Sequence, residues 1–446
     1  MRERLFCATI RPQTVNSFYN PRAPRYAHRR RRYFVENTAK PAFIHKSTGV
    51  TATTTVLNQM KITVDRKMIL PTLNLVSSVV EGKEGTLPML SNLYFNLKDG
   101  VLDVVGTDME MEISQAVSGV QGDNGEFTVS TKKFHDIVRI LPENASISIK
   151  QDKNDRVVIT AGRSRYVLRT LPAKEFPRIV AANWEERLKI RQSALVELLE
   201  KTAFAMAVSD VRYYLNGVLF QFTSKQLRSI ATDGHRLAQS DMDTDLDVKE
   251  MRELIIPRKA VQEINRFIGG GDAGEEGDDD GDDGAAAADD DAELTLEMNQ
   301  NHLKLTRDNT VLITKLIDGK FPEYKGVLEH KFELIVGAAR QNLIDTLSRV
   351  AVLTSKNHRG VKIHLGKNEM KITTSNQEQE EAEDQMEVKY SGKTVENGYN
   401  VDYLIDVARA CRGDTIELHL QESEGICILK QPGDERTIWL VMPMRL

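Results

Sequence analysis

The most suggestive chemistry in the chain lies in the run ATDGHRL, residues 231–237. Asp233, His235 and Arg236 within four residues offer an acid, a base and an anion holder, the parts of a proton-transfer site. A related stretch earlier in the chain, GTDMEMEI (106–113), keeps the Thr-Asp step but replaces DGHR with DMEM (108–111). That argues for a packed turn, or a binding surface, over a catalytic centre. SGKT (391–394) matches the end of a phosphate-binding loop, but the loop's first glycine would fall on Glu387. In the acidic run, Glu276, Asp278, Asp280 and Gly281 follow calcium-loop spacing until the closing acid, which falls on Ala287. There is no G-x-S-x-G, HExxH or GxGxxG. Cys7, Cys411 and Cys427 form no CxxC pair and suit a reducing, cytoplasmic setting, with Cys411 and Cys427 read as core-filling thiols. No metal, cofactor or catalytic residue is implied.

The elements that carry these residues recur. A strand, a polar turn, a second strand and a TD-like tail appear at 92–113 and 216–238, with a weaker copy at 360–382. Their alternating apolar residues are those of half-buried antiparallel strands. Amphipathic helices follow at 130–142, 257–270 and 400–411, and others precede the hairpins at 68–82, 193–207 and 341–354. Apolar-Pro steps occur at Phe176-Pro177, Phe321-Pro322 and Met442-Pro443. Asp108 to Asp233 is 125 residues, Phe134 to Val261 is 127 and Pro322 to Pro443 is 121. Asp233 to Asn376 and Val261 to Leu404 are 143 each, and Pro177 to Pro322 is 145. Each long interval spans the acidic run, so an insertion of about 20 residues into the middle copy accounts for the difference. The expected fold is therefore α+β: three similar domains of antiparallel sheet with two helices each, at 60–185, 188–328 and 330–446.

Charge is distributed unevenly over these parts. Of the 446 residues, 40% are hydrophobic and 28% charged, enough to build a core, and the net charge is −5. Residues 1–59 carry a net +9, with Arg29, Arg30, Arg31 and Arg32 in a row; residues 269–293 carry −12. The body between them is near neutral. The basic extension has no periodicity and reads as disordered: read-through from an upstream start, a nucleic-acid-binding arm or a transit segment. The acidic insertion reads as a solvated loop. No apolar run approaches the ~20 residues of a membrane helix.

MKITVDR (60–66), TLPML (86–90), GTDMEMEI (106–113), VRYYLNGVLF (211–220), ATDGHRLA (231–238), DGKFPEY (318–324), QEQEEAE (377–383) and VMPMRL (441–446) together resemble the beta sliding clamp family of bacterial DNA polymerase III. The resemblance covers 60–446 and implies a non-enzymatic processivity factor. Two copies would close head to tail into a ring around duplex DNA, with helices lining the hole. The expected partners are double-stranded DNA without sequence preference, a second copy, the replicative polymerase, the clamp loader and other clamp-motif proteins. The competing readings are a hydrolase or nucleotide-binding enzyme centred on DGHR, and a repeat scaffold without DNA.

The resemblance also implies sites. A groove for partner peptides would be lined by Leu215, Thr232, Gly234, His235, Arg236, Leu237, Pro322, Val327, Val441, Met442, Pro443, Met444, Arg445 and Leu446. Gly326 and His358 depart from the family there, which commonly has an Arg and an aromatic residue. DNA would meet Lys83, Lys132, Lys133, Arg139, Ser209, Tyr213 and Tyr214, with Arg258, Lys259 and Arg266 as further inner-wall candidates. The EGKEG loop (81–85) replaces the family's Gly-Arg-Pro. At the ring seam, Tyr166 and Leu168 would meet Val352 and Leu353, while Lys133, Arg163 and Arg165 face Glu378, Glu380 and Glu381.

Overall fold

A computed structural model describes residues 60–80, 87–152, 154–180, 183–244, 248, 250–269, 292–329, 331–355, 358–421 and 425–445. The basic extension, most of the acidic insertion, Lys83 and Leu446 lie outside the described residues.

The first copy contains β1 (Lys61–Asp65), α1 (Arg66–Ser77), β2 (Asn92–Lys98), β3 (Val101–Thr107), β4 (Met111–Ser118), the short β5 (Gln121–Gly122) and β6 (Gly125–Ser130). It continues with α2 (Thr131–Ile140), β7 (Ser146–Asp152), β8 (Arg156–Ala161) and β9 (Ser164–Arg169). The second runs β10 (Glu186–Arg191), α3 (Gln192–Thr202), β11 (Gly217–Phe222), β12 (Gln226–Thr232), β13 (Arg236–Asp243), β14 (Arg252–Pro257) and α4 (Arg258–Gly269). Then come β15 (Glu293–Met298), β16 (His302–Arg307), β17 (Thr310–Lys315) and the one-turn α5 (Lys325–Leu328). The third has β18 (Leu334–Ala339), α6 (Arg340–Ala351), β19 (Gly360–Gly366), β20 (Glu369–Ser375), β21 (Glu381–Glu387) and β22 (Val395–Asn400). It ends with α7 (Val401–Ala410), β23 (Thr415–Leu420), β24 (Cys427–Lys430) and β25 (Thr437–Val441).

Local sequence explains these elements. In β2, Leu93, Phe95 and Leu97 are buried, and the residues between them are not or only partly so. Asp99 and Gly100, both at positive φ (52° and 81°), make the two-residue turn into β3 that right-twisted strands favour. In α2 the buried Thr131, Phe134 and Val138 share one face and leave Lys132, Lys133 and Arg139 outside. Asn400 caps α7 by accepting the Asp402 amide at 2.9 Å. Helix α1 begins two residues before the expected span and ends at Ser77 rather than 82.

All strand pairs are antiparallel, in four sheets among the described residues: β5-β1-β7-β8-β9, β10-β15-β16-β17-β4-β3-β2-β6, β14-β11-β12-β13-β25-β24-β23-β18 and β21-β20-β19-β22. The two eight-stranded sheets each join half of one copy to half of the next. At one seam β17 pairs with β4, Thr310 opposite Gln115 and Thr314 opposite Met111. At the other β25 pairs with β13, Thr437 opposite Ser240 and Val441 opposite Arg236. The repeat maps β9 onto β17 and β25, and β21 onto β4 and β13. Among the described residues, β9 and β21 are the members of those two sets that have no partner across a seam.

Candidate functional site

The DGHR residues build a turn. Thr232 Oγ1 donates to the Arg236 carbonyl at 2.6 Å and accepts the Gly234 amide at 3.1 Å. Asp233 Oδ1 accepts the amides of His235 (2.8 Å) and Arg236 (3.0 Å). Gly234 has φ +91°, a conformation that a side chain strains, and a Cβ there would come within 3.1 Å of the Arg212 guanidinium. The first copy repeats the pattern: Thr107 Oγ1 donates to Met111, and Asp108 accepts the Glu110 and Met111 amides. Arg236 is engaged structurally as well. It binds Asp233 (3.1 Å), Asp406 of α7 (2.6 Å) and the Phe204 carbonyl (2.7 Å), and lies 4.4 Å over the Tyr403 ring. Burial, and then the nearby Asp233, push the Tyr403 phenol pKa up. SGKT is likewise a tight turn, with Gly392 against the Tyr390 ring and the Tyr390 hydroxyl donating to the Lys393 carbonyl at 2.5 Å.

Around this turn, the outward face of the β13–β25 seam is apolar. Leu219, Ile230, Leu237, Ile255, Phe321 and Tyr324 pack with Ile426, Ile428 and Leu440 in a cluster separate from the main core. Tyr214, Val327, Leu328, Ile438 and Met442 border it half-buried. The Met442 amide donates to His235 (2.8 Å) and the Met444 amide to Gly398 (2.9 Å), which fixes the terminal segment as one wall. The connector from Ile317 to Leu328 makes the other. Leu215, Thr232, Leu237 and Val441 are buried; Arg236, Pro322, Val327, Met442, Pro443 and Met444 are half-buried; Gly234, His235 and Arg445 are exposed. Gly326 opens onto free space. Sequence reasoning missed Arg212, which Asp210 grips through Nε (3.1 Å) and Nη2 (2.9 Å) and which reaches the Asp233 carbonyl. That grip holds the half-buried Asp210 carboxyl down at a pKa of about 2.

The two unpaired edge strands differ in charge. On β9, Tyr166 and Leu168 are half-buried, opposite Ile159 and Val157. Arg165 and Arg169 are exposed, as is Arg163 in the preceding turn, and Lys133 lines a cleft beside Leu168 and Arg169. On β21 and the turn before it, Glu378, Glu380, Glu381 and Glu383 are exposed. Just past α6, Val352 is 77% exposed and Leu353 half-buried.

The cations of the helices fall into two groups. Lys132, Lys133 and Arg139 stand exposed on α2, with Arg139 only 4.0 Å from Asp136. On α4, by contrast, Arg258 donates to the Met206 carbonyl (3.1 Å), Lys259 pairs with Asp108 across the seam and Arg266 holds Glu263 (3.1 Å). Burial lowers the Arg258 pKa. Sequence alone shows six equivalent cations; in the fold all three on α4 are engaged, and Lys259 bridges to the first domain. Ser209 has φ +57°, Tyr213 is 56% exposed and Tyr214 half-buried, their rings edge to face at 5.8 Å. Among the described residues there is no metal-binding group of three or more His, Cys, Asp or Glu, and no helix long and apolar enough to cross a membrane.

Three similar units fused edge to edge, ending in edge strands of opposite charge, define a modular scaffold with an apolar groove at its second seam. The family comparisons agree. Residues 60–180, 189–275 and 325–445 match the models of the DNA polymerase III beta subunit's N-terminal, central and C-terminal domains. The Beta sliding clamps of Pseudomonas putida and Escherichia coli K12 are 36% and 37% identical over 388 residues, 87% of this chain and all of each relative. A solved Pseudomonas aeruginosa sliding clamp matches with TM-score 0.79 at 35% identity, over 87% of this chain and all of that one. A Bartonella birtlesii clamp bound to griselimycin matches with TM-score 0.79 at 29% identity and the same coverage, and a griselimycin complex of the Pseudomonas aeruginosa clamp is also among the matches. The chain belongs to the beta sliding clamp family. That family is a non-catalytic replication factor, and the reading of an enzyme centred on DGHR falls away.

Proposed function

We propose that two copies of this chain close head to tail into a ring around duplex DNA and hold the replicative polymerase to its template. Domains spanning 60–185, 188–328 and 330–446 contribute three units per chain, six per ring. The supporting observation is the repeated seam register. Carried onto the free edges by the hairpin pairings, it sets Ser164 opposite Asp384, Arg165 opposite Glu383, Tyr166 opposite Ala382 and Val167 opposite Glu381 of the second copy. A basic edge then meets an acidic one, and no strand edge of this type is left open to aggregate. Tyr166, Leu168, Val352 and Leu353 supply the apolar centre of the joint, with Lys133, Arg163, Glu378, Glu380 and Glu381 around it.

The apolar face between the second and third domains takes short peptides from the polymerase, the clamp loader and other clamp-motif proteins. Met442 and Met444 can repack around varied anchors. Lys132, Lys133, Arg139 and Tyr213 meet DNA without reading its sequence, as sliding requires. A replication clamp of this kind works in the cytoplasm, where the chromosome is. The test is topological. Loaded on nicked circular DNA by a clamp loader, the protein should stay on the intact circle and be lost within minutes of linearisation. Equal loss from both substrates would refute the ring.

A further inference from the structure

The seam between the first and second domains is a copy of the docking groove with a different occupant. The Lys315 amide donates to Glu110 at 2.8 Å, just as Met442 donates to His235. The sheet positions of Leu219, Ile230 and Ile255 become Tyr94, Val105 and Thr128, as the pairings show. Leu237, opposite Leu440, becomes Glu112, opposite Ile313.

Glu112 is 2% exposed, and its partners come from the connector. Arg178 Nε and Nη2 each reach Oε1 at 3.0 Å, and the Ile179 amide donates to Oε2 at 2.9 Å. The Arg178 guanidinium lies 5.7 Å over the Tyr94 ring, on which Phe176 stacks at 5.3 Å. In the second domain the residue matching Arg178 after the Phe-Pro step is Glu323, which is exposed. One seam thus presents an apolar floor, whereas the other has a buried carboxylate held by the chain's own connector.

We propose that the Glu112–Arg178 pair is a specificity determinant that closes the first seam to partner peptides and leaves one docking groove per chain. This rests on the docking reading of the second seam. A buried carboxylate without its cation is costly, so a peptide that displaced Arg178 would have to replace its charge as well as its packing. Apolar motifs cannot, and they sort to the other seam.

Calorimetric titration of the full chain with griselimycin tests the proposal. The wild type should bind one per chain, and Met442→Glu should abolish binding. The variant E112L/R178A should bind two, the second more weakly, and E112L/R178A/M442E should bind one. If E112L/R178A stays at one per chain with its circular dichroism and dimer unchanged, the proposal is overturned. If that variant does not fold, the near-isosteric E112Q decides through hydrogen exchange: the Ile179 amide should exchange at least ten-fold faster than wild type, and an unchanged rate overturns the proposal. Binding that survives Met442→Glu in the wild-type background instead refutes the groove reading and leaves the exchange measurement to judge Glu112.

Discussion

Single side chains show how charge is used at the joints. Lys201, nearly buried on α3, pairs with Asp434 (3.0 Å) and Glu197 (2.8 Å), and its carbonyl accepts the Trp439 indole at 2.8 Å. Burial works against the Asp434 carboxylate, but bonds from Lys201, Thr437 and the Arg436 amide outweigh it, and its pKa is lowered. A carboxylate held lower in the folded state contributes its stability in full above the ordinary aspartate range and loses it as pH falls through the folded value. Asp434→Asn should therefore cost roughly 3 kcal/mol at pH 7, the low end for breaking a buried pair, because Lys201 keeps Glu197. In urea titrations the gap between variant and wild type should narrow on acidification below about pH 4, where unfolded aspartates protonate. A gap independent of pH would show that packing, not charge, carries the effect.

Helices of the same type do different work in different copies. The spacing of Lys132, Lys133 and Arg139 resembles that of Arg258, Lys259 and Arg266, and sequence alone treats them alike. Lys259 is paired with an aspartate 151 residues away, whereas Lys132 faces solvent. Neutralising Lys132 and Arg139 should lower the salt dependence of DNA association by about 1.8 in the slope of log K against log[salt], about 0.9 for each phosphate no longer neutralised. Lys259→Ala should leave that slope nearly unchanged and lower the melting temperature. Equal slopes for the Lys132/Arg139 double variant and for Lys259→Ala would refute this division. The amphipathic pattern was legible because burial follows periodicity; the pairing of Lys259 was not, because its partner Asp108 lies in another domain.

Closure of the proposed ring would turn on two edge strands, β9 and β21. Exposed ion pairs are worth only about 0–1 kcal/mol each, so in the proposed joint Tyr166, Leu168, Val352 and Leu353 would set the strength and the charges the register. Arg165→Glu should weaken dimerisation several-fold by placing like charges opposite Glu383, and Glu383→Arg should do the same against Arg165. Combined in one chain, the two reversals should restore most of the loss in sedimentation equilibrium. Failure of the double variant to recover would place Arg165 and Glu383 in different registers.

The sequence by itself determined the three-copy organisation, the two helices per copy, the insertion in the middle copy and the absence of a catalytic motif. All of these depend on local periodicity, turn residues and spacing, which a linear chain displays directly. The tertiary structure decided what the conspicuous residues do. Arg236 stands beside His235 in sequence, yet its guanidinium bonds reach Asp406, 170 positions away. Glu112 looks like one more surface acid until the fold sets Arg178 over it. Which seam is apolar, and which edge is free, depends on strands that meet only when distant segments pair, and no local pattern records that meeting.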